Sequence, residues 1–269
     1  ADNFKLTIES IVDTTPPVSY VNAISPYWDN SNPRPITATA TDSSGVARVA
    51  LYYRFSMDNY SWGAWTWLEN DNVFPWSWNF AFPSGNGHYQ FYSTARDNKG
   101  NEESPPAIRD AFCGFDNIVP AVPVLVWPAN GDNIGANNTP NLDWNTVSEN
   151  STPVRYYLQV DDSMDFSSPL NVDVNTTADN YKVTSPLPNG RYYWRVKARD
   201  NAGNWSAWTA SYYFDVYIPP SEDTTPPVSS VNAISPYWKN AAMSITATAS
   251  DDNSGVARVA LWYRFSADN

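Results

Sequence analysis

The stretch Gly87-His88-Tyr89-Gln90-Phe91-Tyr92-Ser93-Thr94-Ala95-Arg96-Asp97-Asn98 lines up without a gap with Gly190-Arg191-Tyr192-Tyr193-Trp194-Arg195-Val196-Lys197-Ala198-Arg199-Asp200-Asn201. In both, an aromatic follows a turn glycine by two residues, and the chain then runs into the turn sequence ARDNxGN. Tyr192, Trp194, Val196 and Ala198 alternate with Tyr193, Arg195 and Lys197. A period of two with polar residues between predicts an antiparallel strand with one face on a core and one in water. Tyr89 and Tyr192 hold the position of a tyrosine corner, with the ring in the core and the hydroxyl bonded to nearby backbone.

The same alternation recurs in Arg48 to Phe55, where Val49, Leu51, Tyr53 and Phe55 share a face, and in Tyr156 to Val160. Turn sequences separate these runs: Asp42-Ser43-Ser44-Gly45, Pro83 to Gly87, Asp97 to Asn101, Ala129 to Asp132, Pro188-Asn189-Gly190 and Asp200 to Asn204. No stretch sustains a helical apolar period with caps. Short strands punctuated in this way predict an all-β fold of tandem antiparallel β-sandwiches.

An internal repeat organises the chain. Asp13 to Trp28 returns as Asp223 to Trp238 with the single change of Tyr20 to Ser230, an offset of 210 residues. ITATA (Ile36 to Ala40) and SGVARVAL (Ser44 to Leu51) return at Ile245 to Ala249 and Ser254 to Leu261. Carried backward, the offset sets Phe4, Leu6 and Ile8 against Phe214, Val216 and Ile218. The expected domains are therefore residues 1–12 as the last strand of a preceding module, 13–115 and 116–219 as two complete sandwiches, and 220–269 as a partial copy of the first. Proline fixes φ and removes donors, so the connections Asn117 to Pro123 and Ile218 to Pro227 should be short, stiff links in an extended array.

Composition narrows the function. The 269 residues carry 16 Lys plus Arg against 28 Asp plus Glu, a net charge of -12, which argues against nucleic acid as a partner because phosphate binding needs clustered cations. No apolar run is long enough for a membrane span. One cysteine, Cys113, and one histidine, His88, make neither an intrachain disulfide nor a Cys/His zinc cluster. No GxSxG elbow, phosphate-cradling loop or HExxH motif occurs, so no enzyme is expected.

Residues 116–219 resemble a fibronectin type III module of the kind found in microbial surface proteins. The matching features are Trp127-Pro128-Ala129-Asn130-Gly131, Trp144 within Pro140 to Trp144, Tyr157 to Asp161, Asp165 to Pro169 and the segment Leu187 to Ala198. Residues 13–115 resemble the immunoglobulin-like or fibronectin-like repeats of large archaeal and bacterial cell-surface proteins. The features there are DTTPP, the DxSGV turn, Tyr52 to Trp65, Pro75 to Phe80 and ARDNKGN. The resemblance implies a structural or adhesive segment of an extracellular surface protein or filament. Its partners would be neighbouring modules, copies of the same protein, surface glycans or other surface proteins. Glycan-binding accessory modules of a secreted carbohydrate-active enzyme are the alternative.

Three sets of residues are candidate sites. Asp13, Asp42, Asp97 and Glu102, with Asp223, Asp251 and Asp252 in the copy, lie in turns near module ends and offer the oxygens that Ca²⁺ prefers, although turn aspartates also bond their own backbone. Asp161, Asp162 and Asp165 form a further acidic loop. Trp62, Trp65, Trp67, Trp76 and Trp78 crowd a short stretch and suit either a sugar-stacking platform or a core face. Asn59, Asn137, Asn150, Asn175 and Asn204 are N-glycosylation acceptors by pattern.

Overall fold

The computed structural model describes residues 12–167, 169–235, 240–252 and 254–266, and the expected strand around Phe4, Leu6 and Ile8 lies outside them. The described residues up to Ile218 form one compact unit and those from Pro219 onward a second. No helix occurs among the described residues.

The first sandwich is built from β1 (Val18–Val21), β2 (Trp28–Asp29), β3 (Arg34–Thr41), β4 (Val46–Ser56), β5 (Thr66–Asp71), β6 (Ser77–Phe80), β7 (Gly87–Asp97) and β8 (Ala111–Phe115). One sheet has the order β1-β3-β6 and the other β2-β8-β7-β4-β5. All pairings are antiparallel except β2 with β8. The second sandwich repeats the plan with β9 (Leu125–Trp127), β10 (Asp132–Asn133), β11 (Asn141–Trp144), β12 (Arg155–Asp161), β13 (Val172–Thr176), β14 (Asn180–Lys182), β15 (Gly190–Arg199) and β16 (Tyr212–Val216). Its sheets run β14-β11-β9 and β10-β16-β15-β12-β13, and β10 again pairs in parallel with β16. Identical strand order in two sequences of different composition follows from their common period-two pattern and turn placement.

Alternation decides what faces inward. Val49 and Leu51 of β4 are fully buried, and Tyr53 and Phe55 continue the same face against the core. Phe80 sits among Tyr53, Phe82, Tyr89 and Phe91, edge-on, with ring centroids 5.0–5.4 Å apart. Such pairs add about 0.5–1.5 kcal/mol beyond area burial. In the second core Leu158, Val160, Trp194, Val196 and Phe214 are wholly buried, and Trp144 lies edge-on to Tyr156. Both tyrosine corners form. The Tyr89 hydroxyl donates to Gly85 O at 2.7 Å and accepts from Ser84 N at 3.1 Å, while Tyr192 donates to Pro188 O at 3.0 Å.

In the partial copy, β17 (Val228–Val231) pairs with β18 (Ala247–Ser250) in the register that β1 makes with β3. The counterpart of β4 forms no strand among the described residues, and Leu261, Trp262, Tyr263 and Phe265 are exposed.

Two outcomes follow from these cores. Urea unfolding of Tyr89→Phe should show a larger loss than Tyr192→Phe, about 1–2 against about 1 kcal/mol, because one hydroxyl makes two bonds and the other one. Equal losses would show that the second bond contributes nothing. Burial pushes the Cys113 thiol up to about 12. A folded value above the unfolded one favours the native state fully below the unfolded value and loses that advantage as pH rises through the folded one. Stability should therefore fall between pH 9 and pH 12, with Cys113 contributing at most about 1.4 kcal/mol per pH unit, and Cys113→Ala should flatten that fall.

Candidate functional site

The turn after β7 and after β15 closes each sandwich on its own first residue. In the first, Asp97 Oδ1 accepts from Lys99 N and Asn101 N, both at 2.8 Å, and Asp97 Oδ2 accepts from Asn101 Nδ2 at 2.7 Å. The same amide reaches Asp13 O at 3.1 Å. In the second, Asp200 Oδ1 accepts from Gly203 N and Asn204 N, and Asn204 Nδ2 donates to Asp200 Oδ2 at 2.7 Å and Asp116 O at 2.8 Å. Gly100 and Gly203 occupy the left-handed region at φ 96° and 106°, which explains the glycine in ARDNxGN. Asp13 and Asp116 are thus structural equivalents. Each carboxylate accepts from the amide two residues on, and each takes a serine hydroxyl at 2.8 Å, from Ser43 and Ser151 respectively.

The two sandwiches meet at this latch. Asn30 Nδ2 of the first donates to Asn204 Oδ1 of the second at 2.9 Å, and Asp116 N donates to Asp29 O. Trp28, Met57, Phe115 and Ile118 surround a small pocket there with Glu149 and Asn150. The loops in contact come from opposite ends of the two sandwiches. Sequence reasoning placed the turns but missed Asn101, Asn204 and Asn30 as latch residues. The recurrence of the final Asn in ARDNxGN was the signal available.

The expected acidic residues divide. Asp13, Asp42 and Asp97 bring carboxylate oxygens within 4.8 Å of one another, as do Asp223, Asp251 and Asp252 in the copy. The donor set is hard oxygen, suited to Ca²⁺. Donors from Thr15 N and the Ser43 hydroxyl lower the Asp13 carboxyl, and the Ser254 hydroxyl and Thr225 N lower Asp223. Burial raises Asp97, but the Asn101 side chain and amide outweigh it and hold that carboxyl below its usual range. Glu102 does not join the cluster. It lies on the outer sheet face, 2.7 Å from Arg48 and 3.8 Å from Arg96, because its strand bridge to Arg96 aims it away from the turn. Asp161 is buried, and burial raises its carboxyl.

The tryptophans also divide. Trp76 and Trp78 are 5% and 2% exposed and pack in the first core, which removes them from the set of glycan contacts. Inward alternation on the short sheet accounts for their place. Trp62 and Trp65 lie under the Arg54 guanidinium at 5.3 and 4.5 Å. Trp67 is 53% exposed. Of the glycosylation candidates, Asn59, Asn137, Asn150 and Asn175 are exposed. Asn204 is not an open acceptor: it is 9% exposed, and its amide nitrogen is committed to the latch.

Cys113 and His88 do not form a nucleophilic pair. Cys113 is in the core, while the His88 ring lies 4.9 Å from Trp28 and its Nδ1 is 2.6 Å from the Tyr27 hydroxyl. Burial lowers the imidazole below its usual range. His88 is paired with Gly114 and Tyr89 with Cys113, so the two side chains leave neighbouring strands on opposite faces.

Comparison with known proteins fits this architecture. Residues 130–217 match the profile described as Rha78A-like, N-terminal immunoglobulin domain. A search of curated proteins returns no match. Among solved structures, the fibronectin(III)-like modules of Clostridium thermocellum CbhA are 16% identical with a TM-score of 0.44, covering 75% of this chain and 95% of theirs. The FN1–FN3 domains of chicken CNTN1 are 16% identical with a TM-score of 0.30, covering 82% and 72%. Domains A168–A170 of titin are 11% identical with a TM-score of 0.39, covering 72% and 64%. With its two sandwiches of like strand order and a third begun, this chain is a run of tandem immunoglobulin-like, fibronectin type III-like β-sandwich repeats.

Proposed function

We propose that the chain is a spacer and interaction segment of an extracellular surface protein or filament, in which alternating sandwiches set length and present surface. The observation that carries this reading is the polar latch between the two complete sandwiches. A linker left free would need no buried asparagine, whereas Asn204 joins Asp116, Asp200 and Asn30 at one point. Residues so bonded resist separation, since a buried partner left unsatisfied costs about 1–3 kcal/mol.

Antibodies against the chain should label intact cells of the source organism, and protease treatment of those cells should abolish the signal. Labelling that requires permeabilised cells overturns the reading. At the molecular level, ¹⁵N relaxation should show the two sandwiches tumbling together. Asn30→Ala, which removes the side-chain bond to Asn204 but keeps the backbone bond from Asp116 to Asp29, should move their correlation times apart while leaving each sandwich folded.

In the same reading the acidic clusters at Asp13, Asp42, Asp97 and at Asp223, Asp251, Asp252 take up Ca²⁺ and stiffen the module ends, since neighbouring carboxylates repel until a cation joins them. Thermal melts in EDTA and in about 1 mM calcium test this, with a higher midpoint expected in calcium. Identical midpoints reject it.

A further inference from the structure

We propose that the outer face of the five-stranded sheet of the first sandwich holds a binding site for a neutral saccharide, with Trp67 as its stacking surface. The argument begins with strand register. Val49 and Leu51 point into the core, so Arg48, Ala50 and Tyr52 point outward. Across the neighbouring strands, Tyr52 stands opposite Trp67 of β5 and Tyr92 of β7, and Ala50 stands opposite Asn70 and Thr94. Arg48 stands opposite Arg96. The outer face is therefore three successive rows: aromatic, small and polar, then charged.

The middle row lies low between two taller ones. Together they line a depression of about 300 Å³, at the lower end of the range for small-ligand pockets and with room for about one or two pyranose rings. A β-bulge makes this possible. Leu51 faces Glu69 and Tyr52 faces Trp67, so the register shifts by one residue between them. Trp67 and Asn70 are three residues apart and would fall on opposite faces of a regular strand. The bulge brings both onto the same groove.

The lining selects the ligand class. Tyr52 stacks on Tyr92 at 4.7 Å, and Arg54 covers Trp62 and Trp65. Among the described residues no ring or cation stacks on Trp67, which is half exposed beside polar groups, an arrangement suited to a ligand with one apolar face and many hydroxyls. The charged row is balanced. Arg48 and Arg96 face Glu102, and Glu103 accepts from Ser19 and Ala95 beneath them. Two guanidiniums against two carboxylates leave a neutral groove in a protein of net charge -12, so neither an anion nor a cation is favoured. Asn70, Thr94, Arg48 and Glu102 supply the donors and acceptors that sugar hydroxyls need.

The test is affinity electrophoresis of the full chain through gels containing a neutral glucan, xylan or mannan, with polygalacturonate as an anionic comparison. At least one neutral polysaccharide should retard the chain. Trp67→Ala and Asn70→Ala should each weaken that binding roughly tenfold, whereas Phe74→Ala and Tyr60→Ala, at exposed aromatics elsewhere, should leave it unchanged. Trp67→Leu, which keeps apolar bulk without an indole face, should behave as Trp67→Ala and guards against a folding defect. The proposal is overturned if none of the three neutral polysaccharides retards the chain, if only polygalacturonate does, or if the Trp67 and Asn70 variants bind as the parent does.

Discussion

Everything at the ends of these sandwiches depends on a carboxylate saturated by its own turn. Asp97 and Asp200 each accept two backbone amides and one asparagine amide, and each is nearly sealed from water. A buried carboxylate is tolerable only when its charge is met by donors, and here those donors are peptide and asparagine amides rather than an arginine or lysine side chain. Because the same asparagine also grips the carbonyl of the first residue, closing the turn and fixing the start of the sandwich are one event. The cluster at Asp13, Asp42 and Asp97 and the junction at Asn30 and Asn204 inherit their geometry from it.

Much of the architecture was legible in the sequence because it rests on local rules. Period-two alternation in Arg48 to Phe55 and Tyr192 to Ala198 named the buried faces, and both tyrosine corners could be placed from a glycine two residues upstream. The 210-residue repeat also anticipated the matching register of β17 with β18. What could not be read was long-range. Asn30 and Asn204 meet across 174 residues, and nothing local marks Asn30 as a partner.

The candidate sites show the same division at finer grain. Tryptophan spacing alone could not separate Trp67 from Trp78, because both fit a strand face and only tertiary packing says which face is covered. Glu102 looked like part of the acidic turn, but a single bridge to Arg96 carries it onto the sheet. The pattern at Asn204 matches a glycosylation acceptor, yet its amide is spent inside the fold. The bulge opposite Leu51 and Tyr52 leaves no mark in composition, since it appears only when two strands are set side by side.

One cross-strand pair bears on how neighbouring sandwiches avoid trading strands. In the first, Arg54 on β4 donates twice to Gln90 on β7; in the second, Arg195 on β15 donates twice to Gln159 on β12, but in a different row of the sheet, the one that holds Tyr52 and Tyr92 in the first. If β4 of one sandwich paired with β15 of the other in the native register, Arg54 would stand opposite Tyr193 and Arg195 opposite Tyr52, and the displaced strands would set Gln90 against Asp161 and Gln159 against Tyr92. The exchange would give up both arginine–glutamine pairs, each of which joins a cation to a carbonyl. Tandem domains on one chain fold at high mutual concentration and risk such exchange. The offset pairs therefore favour each strand's own partner over its counterpart in the neighbouring sandwich.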